Sequence, residues 1–310
     1  MTGGAGFLGS VLTDRLRSAG ADVIVPRRRE CDLTDPAATA RLFTQASPRV
    51  VFHLAAAVGG IGANRANPGR FFYENMAMGL NVVEQARRYG RLEKLVIVGT
   101  TCSYPGDAPV PLREADLWNG YPEPTNAPYG VAKRALFVMA QAYRAQYGLR
   151  AVSVIPANLY GPGDNFDPQT SHVIPALIKK CVDAVAQGAD EIVAWGDGAP
   201  TREFLYVDDA ARGVMLAAER YDDPEPVNLG TGEEISIRDL LVLIADLTGF
   251  PGQITWDASQ PGGQRRRRLD TSRAEAAFGF VARVRLAQGL RETIHWYRSH
   301  RGAPVRAADA

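Results

Sequence analysis

The chain opens MTGGAGFLGS (residues 1–10), and the three-residue spacing of Gly3, Gly6 and Gly9 decides the fold. A run of this kind makes a tight turn between a buried strand and a helix. Its glycines let the backbone approach a pyrophosphate, and the helix N-terminus supplies N–H groups and a positive dipole end. Outward from the turn, Leu8, Val11, Leu12 and Leu16 recur at helical spacing and Gly20 ends the helix. Short apolar runs follow and read as buried strands: DVIV (22–25), RVVFHLAA (49–56), LEKLVIVGT (92–100), RAVSVI (150–155) and EPVNLG (225–230). Helical patterns separate most of them, notably at 71–90 and 129–148. This alternation predicts an α/β chain with a doubly wound parallel sheet.

From about Asp164 the rhythm breaks into loops and helices, with helical patterns at 171–187 and 236–249, the latter opened by a capping-box-like Ser236/Asp239. The expected organisation is a Rossmann domain over 1–164 and about 205–231, a smaller C-terminal substrate domain over about 165–204 and 232–298, and a tail over 299–310. Almost nothing precedes Gly3, so the expectation is that the first, central strand is missing at the N-terminus. The expectation is that Met1 is a misplaced start, with apolar residues encoded ahead of Thr2, because such a strand carries a large share of a domain's stability.

The 310 residues, 46% hydrophobic, suffice for a large core, and a net charge of +1 gives no general attraction to nucleic acid or anionic membrane. Cys31, Cys102 and Cys181 lie far apart, which argues against a disulfide framework or a zinc site and fits a cytoplasmic protein. No apolar run reaches transmembrane length and no signal peptide is visible.

The cofactor reading rests on the glycine turn, with Gly3, Gly6, Phe7, Leu8 and Gly9 at the pyrophosphate, and on IVPRRRECDL after the second strand. An acidic residue there would suit a free ribose 2′-hydroxyl. Arg27, Arg28 and Arg29 stand there instead, followed by Asp32 and Leu33, and guanidinium groups suit the 2′-phosphate of NADP(H). The plain alternative is a solvated basic turn. Tyr129 and Lys133, four apart, share one helix face, and a nearby ammonium favours a phenolate. Upstream, Thr100, Thr101 and Cys102 follow the fourth predicted strand, at the edge where doubly wound sheets bind ligands.

Together these motifs resemble the extended short-chain dehydrogenase/reductases. HLAAAVGGIGAN (53–64), CSYP (102–105), EPTNAPYGVAK (123–133), NLYGPGDNF (158–166), SHVIPALIKK (171–180), WGDG (195–198) and REFLYVDD (202–209) narrow the likeness to the GDP-L-fucose synthase family, from Met1 to about residue 298. That resemblance implies 3,5-epimerisation and 4-reduction of GDP-4-keto-6-deoxy-D-mannose with NADP(H). It implies Tyr129 as proton donor, Lys133 on the nicotinamide ribose, and Thr100 in the family's Ser position on the sugar ketone. Cys102 and His172 become the acid–base pair of epimerisation. Thr101, Asn158, Leu159 and His172 fall along the cofactor, and Lys180, Trp195, Arg202 and Arg267 where the family holds the GDP-sugar. A homodimer through the helices at 71–90 and 129–148 is also implied. The chain departs from the family at Ala5, where an Arg is usual, and at Gly262, where an Asp is usual.

The chemistry asks for the same residue types. The ketone acidifies the protons at C3 and C5, and a thiol and an imidazole both move protons near neutral pH. Read singly, Cys102 is a small hydrophobe, His172 a helix-start residue, Trp195 a core aromatic and Arg265–Arg268 a solvated loop. His53 reads as structural, and His295 and His300 as surface residues. Two other functions stay open: a related nucleotide-sugar enzyme that only epimerises or only reduces, and a non-catalytic NADP(H)-binding sensor.

Overall fold

The structure is a computed structural model that describes residues 1–168, 170–259 and 264–300. Gly262 and residues 301–310 of the expected tail therefore lie outside the described residues. Helix α1 (Phe7–Ser18) begins at the glycine turn and ends ahead of Gly20, at φ +84°. Next come α2 (Pro36–Ala46), whose N-terminus Asp35 caps at Ala37 N, β1 (Val50–His53) and α3 (Ile61–Ala66). The long α4 (Pro68–Tyr89) has proline in its first turn and Gly90 left-handed at its end, the asymmetry that suits helix termini. β2 (Lys94–Val98), α5 (Ala127–Tyr147), β3 (Ala151–Pro156) and β4 (Asn158–Tyr160) follow. Then come α6 (Val173–Gln187), β5 (Glu191–Trp195), β6 (Thr201–Arg202), β7 (Phe204–Tyr206), α7 (Val207–Arg220) and β8 (Val227–Leu229). The last elements are β9 (Ile235–Ser236), α8 (Ile237–Thr248), β10 (Gln253–Asp257), β11 (Arg266–Arg267), α9 (Ser272–Phe278) and α10 (Leu286–Ser299). Ser236 caps α8 by accepting from Asp239 N.

The central sheet is parallel in the order β1–β2–β3–β8. Both its faces are covered, so β2 and β3 are buried along their whole length and are apolar rather than alternating. Thr2 extends the ladder outside β1: its N–H reaches Phe52 O at 3.0 Å and its carbonyl accepts from Leu54 N at 3.1 Å. One expectation fails here. DVIV (22–25) is irregular rather than a strand, and Ile24 is exposed. The backbone beside it is that of Met1 and Thr2, and one bond, from the Met1 ammonium to Ile24 O at 2.7 Å, joins the two segments. A single rung does not hold four residues in a ladder.

The larger apolar cluster fills the space between the sheet and helices α1, α4, α5 and α7, with Leu12, Val83, Leu95, Leu136, Val154 and Val214 at its centre. Leu269, Ala274, Phe278 and Phe280 belong to it too. A second cluster joins α6, α8 and α10 through Ile178, Ile244 and Ile294. Of three small sheets, β4 with β7 and β11–β6–β9 bridge the two, while β10 with β5 packs on the second cluster alone. These put residues 195–203 and 264–269 over the C-terminal edge of the central sheet.

Candidate active site

The glycine turn has room for nothing but glycine at two positions. Gly3 holds φ +69°, and a Cβ there would lie 2.5 Å from Ala55 N; a Cβ on Gly9 would collide with the Gly3 carbonyl. The turn therefore packs α1 directly on the loop after β1. Gly6 caps α1 with no side chain, which leaves the first-turn N–H groups at Phe7, Leu8 and Gly9 pointing out of the helix. Ala5 is half-buried in this turn. Arg27, Arg28 and Arg29 are exposed beyond residue 25; Arg28 lies 3.4 Å from Glu74. Asp32 closes its own turn by accepting from the Thr34 N–H and hydroxyl, and Leu33 is buried.

At the end of β2 the chain turns through the 3-10 segment Thr101–Ser103, against the start of α5. The Thr100 hydroxyl caps this turn, accepting from Cys102 N at 3.2 Å. Gly130 makes the contact possible: a Cβ there would strike the Cys102 carbonyl. Cys102 and Tyr129 are consequently neighbours. Burial raises the Tyr129 phenol, the Cys102 sulfur raises it further, and Thr100 opposes the shift. Tyr129 is thus a protonated phenol at neutral pH. The expectation that Lys133 favours its phenolate is not met in this structure. The Lys133 ammonium is buried and donates to Val98 O at 3.2 Å, next to His53 rather than at the phenol oxygen. Burial lowers Lys133 to about 8, and burial with the Lys133 charge holds His53 neutral at about 3.

Facing the thiol, β11 pairs with β6 so that Arg267 stands directly opposite Arg202. Like charges opposed across a ladder repel. Burial first, and Arg267 second, lower Arg202 to about 10. Among the described residues neither arginine has a carboxylate partner. Arg202 donates to Thr201 O at 2.7 Å, and Arg267 donates to Gln264 Oε1 and, at 3.8 Å, to Cys102 Sγ. Two half-buried guanidinium groups, one of them against the thiol, thus stand side by side.

His172 is the N-cap position of α6. It is open to solvent, yet the protein packed around it lowers its pKa, so it is a neutral base at pH 7. The segment before it is tied to the loop after β1 by Gly60 N to Thr170 O at 3.3 Å. Asn158 is fixed by donating to Glu203 O at 2.9 Å, and Leu159 packs on the larger core. Lys180 donates to Val193 O, and Trp195, at 71% exposure, is a surface aromatic rather than a core one.

The model of the NAD dependent epimerase/dehydratase family matches residues 1–230, which include the glycine turn, Thr100, Tyr129 and Lys133. The chain belongs to this family. A curated member, probable GDP-L-fucose synthase 1 of Oryza sativa subsp. japonica, is 43% identical over 298 residues, covering 96% of this chain and 90% of that protein. Two solved structures are similar throughout. A GDP-6-OMe-4-keto-L-xylo-heptose reductase of Campylobacter jejuni has a TM-score of 0.90 at 27% identity, covering 96% of this chain and 97% of that one. A GDP-L-fucose synthetase of Naegleria fowleri bound to NADP has a TM-score of 0.87 at 28% identity, covering 96% and 93%.

Three features of this family member escape a reading of the sequence. Glu203, 1% exposed, accepts from the N–H groups of Thr231, Gly232 and Leu269 and so ties two loops behind the arginines. Gln264 joins Arg267 to Gly106 O. Arg134 grips the thiol turn. Glu203 follows Arg202 within a recognisable block, so adjacency was a usable signal; the other two make contacts remote in sequence.

Proposed function

We propose that this protein is an NADPH-dependent enzyme that epimerises C3 and C5 of GDP-4-keto-6-deoxy-D-mannose and reduces C4, giving GDP-L-fucose. One observation carries the reading: the Cys102 thiol, the Tyr129 phenol and the Arg202/Arg267 pair meet at one edge of the sheet. A plain ketoreductase needs the phenol but no thiol. The 43% identity to a rice protein named as a GDP-L-fucose synthase supports the choice of sugar.

The glycine turn fits a dinucleotide, because the first-turn N–H groups of α1 at Phe7, Leu8 and Gly9 have no side-chain cap and point out of the helix. Gly3, Gly6, Phe7, Leu8 and Gly9 would hold the pyrophosphate and Arg27–Arg29 the 2′-phosphate of NADP(H). Asp32, Leu33, Thr101, Asn158, Leu159 and His172 complete the cofactor's surroundings, with Lys133 on the ribose. When bound, NADPH supplies the hydride for C4. Cys102 and His172 remove and return protons on opposite faces of the ring at C3 and C5. Thr100 and Tyr129 hydrogen-bond O4, where enolate charge develops. In the reduction, Tyr129 gives its proton to O4 as the carbonyl electron pair moves onto that oxygen. Arg202 and Arg267 take the diphosphate, and Lys180 and Trp195 the rest of the nucleotide.

On this reading residues 1–164 with about 205–231 form the NADP-binding domain and about 165–204 with 232–298 the sugar-nucleotide domain, with Leu269, Ala274, Phe278 and Phe280 of the latter span packed into the larger core. The exposed apolar residues of α4 and α5, Tyr73, Leu80, Val138 and Tyr147, form the face of a homodimer. No helix among the described residues is long and apolar enough to cross a membrane; with three free cysteines, a cytoplasmic enzyme is proposed. Incubation with GDP-4-keto-6-deoxymannose and NADPH, followed by identification of the sugar, tests the function. GDP-L-fucose is expected; unconsumed NADPH, or a product that keeps the manno configuration at C3 and C5, refutes it.

A further inference from the structure

Arg134 lies one residue beyond Lys133, on the part of α5 that faces the thiol turn rather than the substrate. Its Nε donates to Ser103 O at 2.8 Å, its Nη2 donates to the same carbonyl, and its Nη1 donates to Gly120 O at 2.8 Å. One guanidinium thus joins the residue after Cys102 to the far end of the loop that leaves it. Its partners are backbone carbonyls, and burial lowers its pKa. A charged group is placed here to hold backbone, since a planar fork spans two carbonyls that a lysine could not. Ser103 adds a second tie through its hydroxyl to Gly130 O at 3.2 Å, and is itself fully buried. From the opposite side Gln264 Nε2 donates to Gly106 O at 2.7 Å, in the same loop.

We propose that Arg134 is a positioning residue: it fixes the Cys102 thiol against Tyr129 and Thr100, and so governs proton transfer at C3 and C5 more than hydride transfer at C4. Thr100 reaches the site directly from the end of β2, and Tyr129 lies on α5 itself. Cys102 alone of the three sits on the turn, and Arg134 and Ser103 hold the carbonyl side of that turn on the helix. Loosening the grip displaces the thiol while the phenol stays in place.

The C3/C5 part rests on the epimerase-reductase reading; the placement of the thiol does not. The experiment therefore has two arms, run on the wild type, Arg134→Met and Arg134→Lys. In the first, iodoacetamide labels Cys102, and peptide mass spectrometry follows the rate. Cys31 and Cys181, at 8% and 0% exposure, stay unlabelled while the protein is folded and report any global loss of structure. Arg134→Met should change the Cys102 rate at least threefold, and Arg134→Lys should recover part of it. In the second arm, deuterium uptake at C3 and C5 of the ketosugar should fall at least tenfold in Arg134→Met. NADPH binding, read by fluorescence, should be unchanged, and direct ketone reduction should fall by less. A wild-type Cys102 labelling rate in folded Arg134→Met overturns the proposal, as does an equal loss of exchange and reduction. No exchange in the wild type would sink the epimerase reading while leaving the labelling arm decisive.

Discussion

Replacing Asp164 by Asn should stabilise the protein at alkaline pH and do little at acid pH. The carboxyl group is 6% exposed, one oxygen accepts from Asn165 N at 2.7 Å, and the other, fully buried, has no partner among the described residues. Burial therefore pushes its pKa up to about 7 from 3.8. The sign follows. Below pH 3.8 the group is protonated in both the folded and unfolded chain, so it costs nothing. Between 3.8 and about 7 the unfolded chain ionises while the folded chain keeps its proton, and stability falls as pH rises. Above pH 7 the full loss remains, on the order of 4 kcal/mol. Asn has the same shape, keeps the acceptor for Asn165 N and never ionises. The advantage of the Asp164→Asn variant should grow by ~2–3 kcal/mol between pH 5 and pH 8. Urea unfolding followed by tryptophan fluorescence, with both proteins at four pH values, measures it. A difference that is constant across that range would show that Asp164 is not buried in its charged form, and would refute the reasoning.

Cys102→Ser should abolish the fucose product and slow deuterium exchange at C3 and C5 by ~100-fold or more, since serine lacks a titratable group near neutral pH; undiminished exchange removes the thiol from the mechanism. Tyr129→Phe should lower NADPH oxidation by ~100-fold or more without weakening NADPH binding, because it deletes the proton donor alone. The protein packed around His172 holds its pKa below the ordinary imidazole value, so exchange should fall on the acid side of that value, where His172 takes up its proton; His172→Asn should remove that limb of the pH–rate profile. Arg27–Arg29 should favour NADPH over NADH by roughly ten- to hundredfold in kcat/KM, the worth of one charged hydrogen bond. Equal values would mean that none of these exposed side chains meets the cofactor.

The sheet was legible where a strand carries an unbroken apolar run, as LVIV does within LEKLVIVGT, and the long helices α4 and α5 where Pro and Gly mark their ends. DVIV has the composition of a buried strand but not its surroundings, because a ladder depends on its neighbour as much as on its own side chains. The reactive residues were legible as short motifs. Their relations were not. Spacing puts Tyr129 and Lys133 on one face, yet it cannot say that the ammonium settles on Val98 O beside His53. Nor does local pattern reveal that two residues 65 positions apart, Arg202 and Arg267, end as ladder partners. Arg134 looked like an ordinary helix residue, since its purpose lies in carbonyls at positions 103 and 120.

The opposed arginines carry a consequence for the life of the protein. An unneutralised Arg202–Arg267 rung weakens a small sheet that bridges the two cores. If a doubly charged anion binds between them, as proposed, it removes the repulsion and adds its own binding energy to the folded state, by RT ln(1 + [L]/Kd). At a hundred times its dissociation constant such a ligand contributes about 2.7 kcal/mol, enough to lower the unfolded fraction roughly a hundredfold. The sugar nucleotide would then act as a chaperone for its own catalyst: the chain would unfold more often when the nucleotide is scarce and persist while it is supplied.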